Sequence, residues 1–303
     1  MSDAEPLTEA SVYEIGGERP RLVRTRAEGT VAFYGLVLQS RPDDGALASA
    51  LLDRAVDSLW EYDRGYGVTP EDSCLVLDGL LAAGVPARRL RASAARLVDL
   101  FYDPGAGAFR SLSEHRHGRP SLARGRAAYW EGPGLDATAQ AGWALQRIAA
   151  DAYPRQIAAC RAAVAARQRE NGSWLSRWYP SPYVATYYCA RLLSGPAGAY
   201  EHELKRAADW IGAEQRADGS WEGGVISTAA AVLSLALLGR DPRRRERGLH
   251  WLLRRDEGGG RWRGEPVLYF WFDFPDGRRL FHHSQDRGRI TTAWAGLALA
   301  TRG

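Results

Sequence analysis

Asp136 opens a run of small and apolar residues, DATAQAGWAL, and two explanations compete for it. A short acidic side chain at such a place can accept backbone N–H bonds as a helix cap. The same carboxyl, turned into a dry hollow, would hold its proton toward neutral pH and could deliver it as a general acid. Internal comparison favours the second. Six segments align on a hydroxyl residue, Thr30, Ser73, Thr138, Thr186, Thr228 and Thr292, each followed seven residues later by an aliphatic: Val37, Leu80, Leu145, Leu193, Leu235 and Leu299. Two residues before the hydroxyl, the last three segments carry Val184, Ile226 and Ile290, so starting this unit needs no carboxyl. The third carries Asp136, and the first two carry Glu28 and Glu71. Acids on one side and aliphatics on the other suit a site with an acidic wall and an apolar wall. Glu28 and Glu71 have a second explanation, as solvated acids at helix ends.

Other acid groupings point to metals. Asp43–Asp44, in RPDDGAL, is an adjacent acid pair outside helix-like segments, and no acid follows three positions on to complete a magnesium cluster. Asp72-Ser-Cys74 has the spacing of two zinc ligands, yet no histidine opens a later apolar helix. His282 and His283 fall in an expected loop, and His115 and His117 in another. Zinc needs converging ligands and, for catalysis, an open position. No resident metal or cofactor is expected.

The elements that would position these groups follow from periodicity. The six hydroxyl-marked segments are apolar nearly all round, as expected of helices buried on every side. Between them lie amphipathic segments, Ala46–Tyr62, Ala87–Tyr102, Arg155–Arg167, Tyr200–Glu214 and Arg243–Arg254. This alternation predicts an all-α fold of helical hairpins, a single (α/α)6-type double-ring barrel over residues 29–303, with residues 1–28 as an N-terminal extension. A period of roughly 45 residues also suits an open helical array. Two linkers share a sequence, QRENGSW (Gln168–Trp174) and QRADGSW (Gln215–Trp221), with looser copies in DPGAGAF and DEGGGRW. The glycine after Asn or Asp is a helix stop, and the tryptophan is expected to pack between hairpins. Two linkers are long, Pro104–Gly134 and Glu257–Arg289, and both are predicted loops at the end where the inner helices begin, a natural binding mouth.

Two Q-x-x-x-G-x-W motifs in an all-helical chain resemble the prenyltransferase and squalene-cyclase repeat family, whose domains are double rings of helices. The segment GPGLDATAQAGWAL resembles the acid motif of class II terpene cyclases, and GRWRGEPVLYFW is similar to a late segment of the triterpene cyclases. The resemblance implies that Asp136 is the Brønsted acid that starts a cyclisation by protonating an alkene or an epoxide. Gly134 and Ala137 replace the flanking acids of the bacterial pattern, so a lone Asp remains, as in the oxidosqualene pattern, and the emphasis falls on an epoxide. Thr138, Glu71 and Asp72 are the neighbours expected to support the acid. The cation so formed needs aromatic faces, each worth about 0.5–2 kcal/mol. Candidates near the inner-helix starts are Phe33, Trp130, Tyr183, Tyr187, Tyr269, Trp271 and Trp294, with Tyr34 and Tyr188 beside them. For Trp174 and Trp221, packing is preferred. The expected substrate is a linear isoprenoid or a prenylated aromatic compound. Two other classes stay open: a ring that only binds an isoprenoid or a protein partner, and a zinc-dependent, prenyltransferase-like protein.

Composition sets the outer bounds. The 303 residues are 45% hydrophobic, enough for a sizeable core, and the net charge is only +4, which gives no support to nucleic-acid binding. The start, MSDAEPLTEA, lacks the basic and apolar regions of a secretory signal. The longest apolar-rich run, Val225 to Gly239, falls short of the about 20 residues that span a bilayer. Cys74, Cys160 and Cys189 read as reduced core thiols. The expectation is a cytoplasmic chain, with a membrane surface as the second place it could sit.

Overall fold

The computed structural model describes residues 11–13, 21–26, 31–61, 68–111, 132–195, 198–273 and 279–302, with backbone alone for 11–13, 21–26, 269–273 and 279–285. Eleven α-helices lie among them. Six carry the hydroxyl register: α1 (Val31–Ser40), α3 (Pro70–Ala82), α5 (Leu135–Ile148), α7 (Pro182–Leu193), α9 (Val225–Leu237) and α11 (Arg289–Leu299). Each packs on the next, and α11 packs on α1, so the inner ring closes and the open-array alternative falls away. Outside it stand α2 (Gly45–Asp53), α4 (Arg91–Phe101), α6 (Pro154–Ala165), α8 (Glu201–Ala213) and α10 (Pro242–Arg254). The fold is the predicted α/α barrel. Among the described residues no helix is long and apolar enough to cross a membrane.

Sequence explains the two rings. In α9, VISTAAAVLSLAL, every residue from Val225 to Leu235 is buried, as surroundings of helix on all sides require. In α10, PRRRERGLHWLLR, only Gly248, Leu249, Trp251 and Leu252 are buried, and the arginines face out. The ring is tightest between α1 and α3. A Cβ on Gly35 would lie 2.2 Å from the Leu75 carbonyl oxygen, and one on Gly79 would lie 2.4 Å from that of Gly35. The two backbones touch because neither glycine has a side chain.

The hydroxyl register has a different purpose from helix capping. Ser73, Thr138, Thr186, Thr228 and Thr292 each accept the backbone N–H of an aromatic residue in the preceding linker, Trp60, Phe109, Trp174, Trp221 and Trp262, at 3.0–3.2 Å. Each tryptophan then donates its indole N–H to a carbonyl of the outer helix: Trp60 to Leu51, Trp174 to Val164, Trp221 to Ile211 and Trp262 to Leu252. The hydroxyl thus ties inner helix, linker and outer helix into one unit. Gln168 and Gln215 link successive units, each donating to a carbonyl of its own turn and to one on the next outer helix or its approach, Glu203 and Arg244.

Two expectations are corrected. The segment expected to be helical to Tyr62 ends at Asp53, because Asp57 (φ 50°) and Ser58 (φ 67°) make a tight turn that brings Trp60 back onto α2. The second long linker is not simply a loop. It contains β5 (Pro266–Asp273) and β6 (Arg279–Gln285), an antiparallel pair extended by β2 (Arg21–Arg26), parallel to β6, and β1 (Ser11–Tyr13). The alternating bulky residues of VLYFWFDF suit a strand better than an irregular crossing. A second, two-stranded sheet joins β3 (Tyr102–Asp103) to β4 (Ala108–Phe109) ahead of α5.

Candidate active site

Asp136 lies in the first turn of α5 and is 2% exposed. It is not the cap. Gly134 holds the N-cap position, and no side chain caps the helix. The Asp136 Oδ2 instead accepts the backbone N–H of Arg177, 2.7 Å away, in the linker that runs from Trp174 to α7. Its Oδ1 is buried with no hydrogen bond of its own among the described residues. Burial pushes the Asp136 pKa up from 3.8 to about 6. The Arg177 amide opposes that shift, the nearby charge of Glu71 adds to it, and the Ser176 hydroxyl and the Arg177 guanidinium oppose it more weakly.

Glu71, in the first turn of α3, is the neighbouring acid and is buried rather than solvated. Its Oε1 accepts the Ser111 hydroxyl and the Trp178 indole N–H, the latter at 2.8 Å. Burial raises its pKa despite these two donors. Asp72 is half-buried, bonded to the Thr69 hydroxyl, and pushed up to about 7 by burial. Thr138 holds the Phe109 amide and donates to the Gly134 carbonyl at 2.6 Å, which fixes the turn from which Asp136 projects. Glu71, Asp136 and Thr138 therefore do meet at one end of the ring, beneath the strap Ser176-Arg177-Trp178-Tyr179. Sequence reasoning missed that strap and Ser111. Their contacts join residues 40 to 107 positions apart. The one local sign was the polar and aromatic density of LSRWYPSPY.

A cavity of about 290 Å³ opens at the same end. Val184 and Ile226, two of the aliphatics that replace the acid in the register, line it, with Phe33, Trp294 and Tyr179. Tyr179 connects this hollow to the acids, because the charges of Asp136, Asp72 and Glu71 all act on its phenol. Two carboxylates, Glu222 and Glu265, and the hydroxyls of Ser181 and Ser227 form the polar part of the lining. Such a volume lies near the lower end of the range for small-molecule sites.

The predicted aromatics divide. Phe33 and Trp294 line the cavity. Tyr187 does not, but its ring packs edge-on against Trp294 at 5.9 Å. Its other neighbour is the buried guanidinium of Arg191, paired to Asp78 at 2.8 Å and lying over the rings of Trp143 and Tyr187. Tyr183 turns away from the hollow and stacks on Trp210 of the outer ring at 4.6 Å. Trp130 and Glu28 lie outside the described residues, as do His115 and His117. Of Tyr269, Trp271, His282 and His283 only the strand backbone is described. Among the described residues no three His, Cys, Asp or Glu side chains gather as a metal site, and Asp72 is engaged with Thr69. Cys74, Cys160 and Cys189 are free and buried.

No protein-family model matches the chain. A copalyl diphosphate synthase of Streptomyces cyslabdanicus is 29% identical over 243 residues, covering 66% of this chain and 44% of that protein. A labda-7,13-dienyl diphosphate synthase of Streptomyces clavuligerus is 37% identical over 81 residues, 25% of this chain and 14% of the relative. Among solved structures, the type II terpene cyclase MstE from Scytonema, in complex with geranylgeranyl dihydroxybenzoate, superposes with a TM-score of 0.69 at 17% identity. That match covers 96% of this chain and 90% of MstE. This chain has the fold of the type II terpene cyclases. An ent-copalyl diphosphate synthase from Streptomyces platensis shares the fold too, with a TM-score of 0.63 at 23% identity over 89% of this chain and 49% of that one. The chain thus spans less than half the length of the copalyl diphosphate synthases it matches, and nearly the full length of the MstE structure.

Proposed function

We propose that this chain is a class II, proton-initiated terpene or meroterpenoid cyclase, with Asp136 as the Brønsted acid. The observation that carries the reading is the state of that carboxyl: buried, raised to about 6, and anchored through one oxygen while the other has no hydrogen bond among the described residues. A carboxyl used only to cap a helix would spend its oxygens on that helix's first amides. This one leaves them alone. Glu71 supports the acid, since a second buried carboxyl on the adjacent helix makes two simultaneous negative charges unfavourable and keeps a proton on the pair. Thr138 fixes the turn, and Phe33 and Trp294 offer aromatic faces to a cation.

The substrate is a linear isoprenoid, or its terminal epoxide, of about geranylgeranyl length, and a prenylated aromatic compound fits the same class. The geranylgeranyl compound held by MstE supports that length. In the reaction, the Asp136 proton adds to the terminal alkene or epoxide, the chain's π-electron pairs close rings, and a proton is lost at the end. The net change is isomerisation. Incubating the chain with geranylgeranyl compounds that differ in head group, with and without a terminal epoxide, tests the reading. Cyclised product from the wild-type chain and none from Asp136→Asn is the expected result. Near wild-type turnover by a folded Asp136→Asn variant would reject Asp136 as the acid, and zinc-dependent or binding-only behaviour would reject the class.

A further inference from the structure

A cation cascade that begins with a proton must dispose of one. Three described side chains lining the cavity bear titratable protons: Tyr179, Glu222 and Glu265. Burial drives the Tyr179 phenol far above its ordinary range, so it stays protonated and accepts nothing. Glu222 is exposed at the mouth and takes the Ser227 hydroxyl at 2.7 Å. A cation discharged there would meet water as readily as carboxylate. Glu265 is half-buried, on the wall opposite the acid half of the register.

The way Glu265 is held suits an anion. Its Oε1 accepts the Val225 amide at 2.6 Å and its Oε2 the Ile226 amide at 2.9 Å, the first two N–H groups of α9. A helix N-terminus favours negative charge there. Its own backbone is fixed as well, with its N–H donated to the Thr291 hydroxyl and its carbonyl taking the Asp286 amide. Burial and the charges of Asp286 and Glu222 push its pKa above the ordinary value against those two amides, which strengthens its pull on a proton. Each carboxylate oxygen keeps a further lone pair for a substrate hydrogen.

We propose that Glu265 is the general base that ends the cyclisation by taking a proton from the ring cation. The proposal rests on the cyclase reading above and adds the fate of the cation. The step balances: the C–H bond next to the cationic carbon breaks, its electron pair becomes the new C=C bond, and the proton goes to a Glu265 carboxylate oxygen. Nothing is oxidised or reduced. Asp136 gives one proton, Glu265 receives one, and solvent at the mouth returns both to their starting states.

The test separates consumption of substrate from identity of product. With a geranylgeranyl substrate that the wild-type chain cyclises, Glu265→Gln should consume substrate within about fivefold of wild type. The share of the wild-type olefin should fall by about tenfold or more, because a positioned proton acceptor is worth on the order of 10²-fold. Shifted double bonds or a water-captured alcohol should take its place. If Glu265→Gln loses helical circular dichroism, Glu265→Asp is read instead. It keeps the charge but withdraws it by one methylene, and the olefin share should still drop. An unchanged product ratio in whichever variant folds overturns the base assignment alone. A wild-type chain inert to the whole substrate panel overturns the cyclase reading, and this inference with it.

Discussion

The inner helices α5 and α9 each begin beside a carboxyl, and the two are served in opposite ways. At α5 the acid belongs to the helix itself, and Asp136 receives one backbone N–H, from the Arg177 strap. At α9 the acid comes from outside, and Glu265 receives two, both from the helix it faces. Each N–H donated to a carboxylate favours the ionised form. Burial raises both pKa values, that of Asp136 to about 6, against one opposing amide at Asp136 and two at Glu265. On the proposed mechanism, the direction of proton flow across the hollow depends on which carboxyl receives the amides of a helix N-terminus.

The sharpest way to break that comparison is to neutralise each side in turn. Asp136→Asn should lower substrate consumption by about 10³-fold or more, within the range for removal of a general acid, with helical circular dichroism intact. The Glu265 substitution should leave consumption largely in place, and equal losses in both would erase the contrast. The same pair of variants should differ in stability. Asp136 binds its proton more tightly folded than unfolded, so its contribution is fully present at and below the ordinary value of 3.8 and is lost as pH rises through about 6. At neutral pH, Asp136→Asn should therefore stabilise the fold by about 1–3 kcal/mol, a gain that vanishes in acid. Glu265→Gln also removes a carboxyl whose pKa is raised, but it weakens the cap on α9, so its net gain should be smaller. Thermal unfolding at two pH values checks both.

pH sharpens the acid side. On the proposed mechanism the protonated form of Asp136 is the active one, so kcat/KM should fall on the alkaline side with an apparent pKa of about 6. Glu71→Gln removes the negative neighbour and should move that limb downward by less than about one unit, the two acids titrating as a pair. A limb that rises with pH would reverse the assignment. The smallest effect concerns the shared scaffold. Thr138→Val and Thr228→Val each remove the acceptor for a buried linker amide, and each should cost about 1–3 kcal/mol in denaturant unfolding. Only the first should also reduce turnover, since it alone loosens the turn that carries the acid.

These pairings also explain what the sequence disclosed. The inner helices were legible because five described units each use a hydroxyl to seize a linker amide, a local demand that recurs at fixed spacing. Asp136 was legible because Val184, Ile226 and Ile290 hold the same register position in the later units, so the unit itself needs no carboxyl there. Trp60 escaped notice because its turn lacks the glutamine and glycine of the other linkers, although it makes the same two hydrogen bonds. Glu265 and Arg177 lay within segments that drew notice, GRWRGEPVLYFW and LSRWYPSPY, yet neither they nor Ser111 stood out individually. Their partners lie 39 to 41 residues away and meet them only once the ring has closed.

The bare contact of Gly35 with α3 leaves no space between those two backbones. One methyl group inserted at Gly35 or Gly79 would act as a wedge, shifting α1, and with it Phe33, against its partners. Phe33 lines the cavity, so an aromatic face of the chamber is held in place by atoms the sequence leaves out.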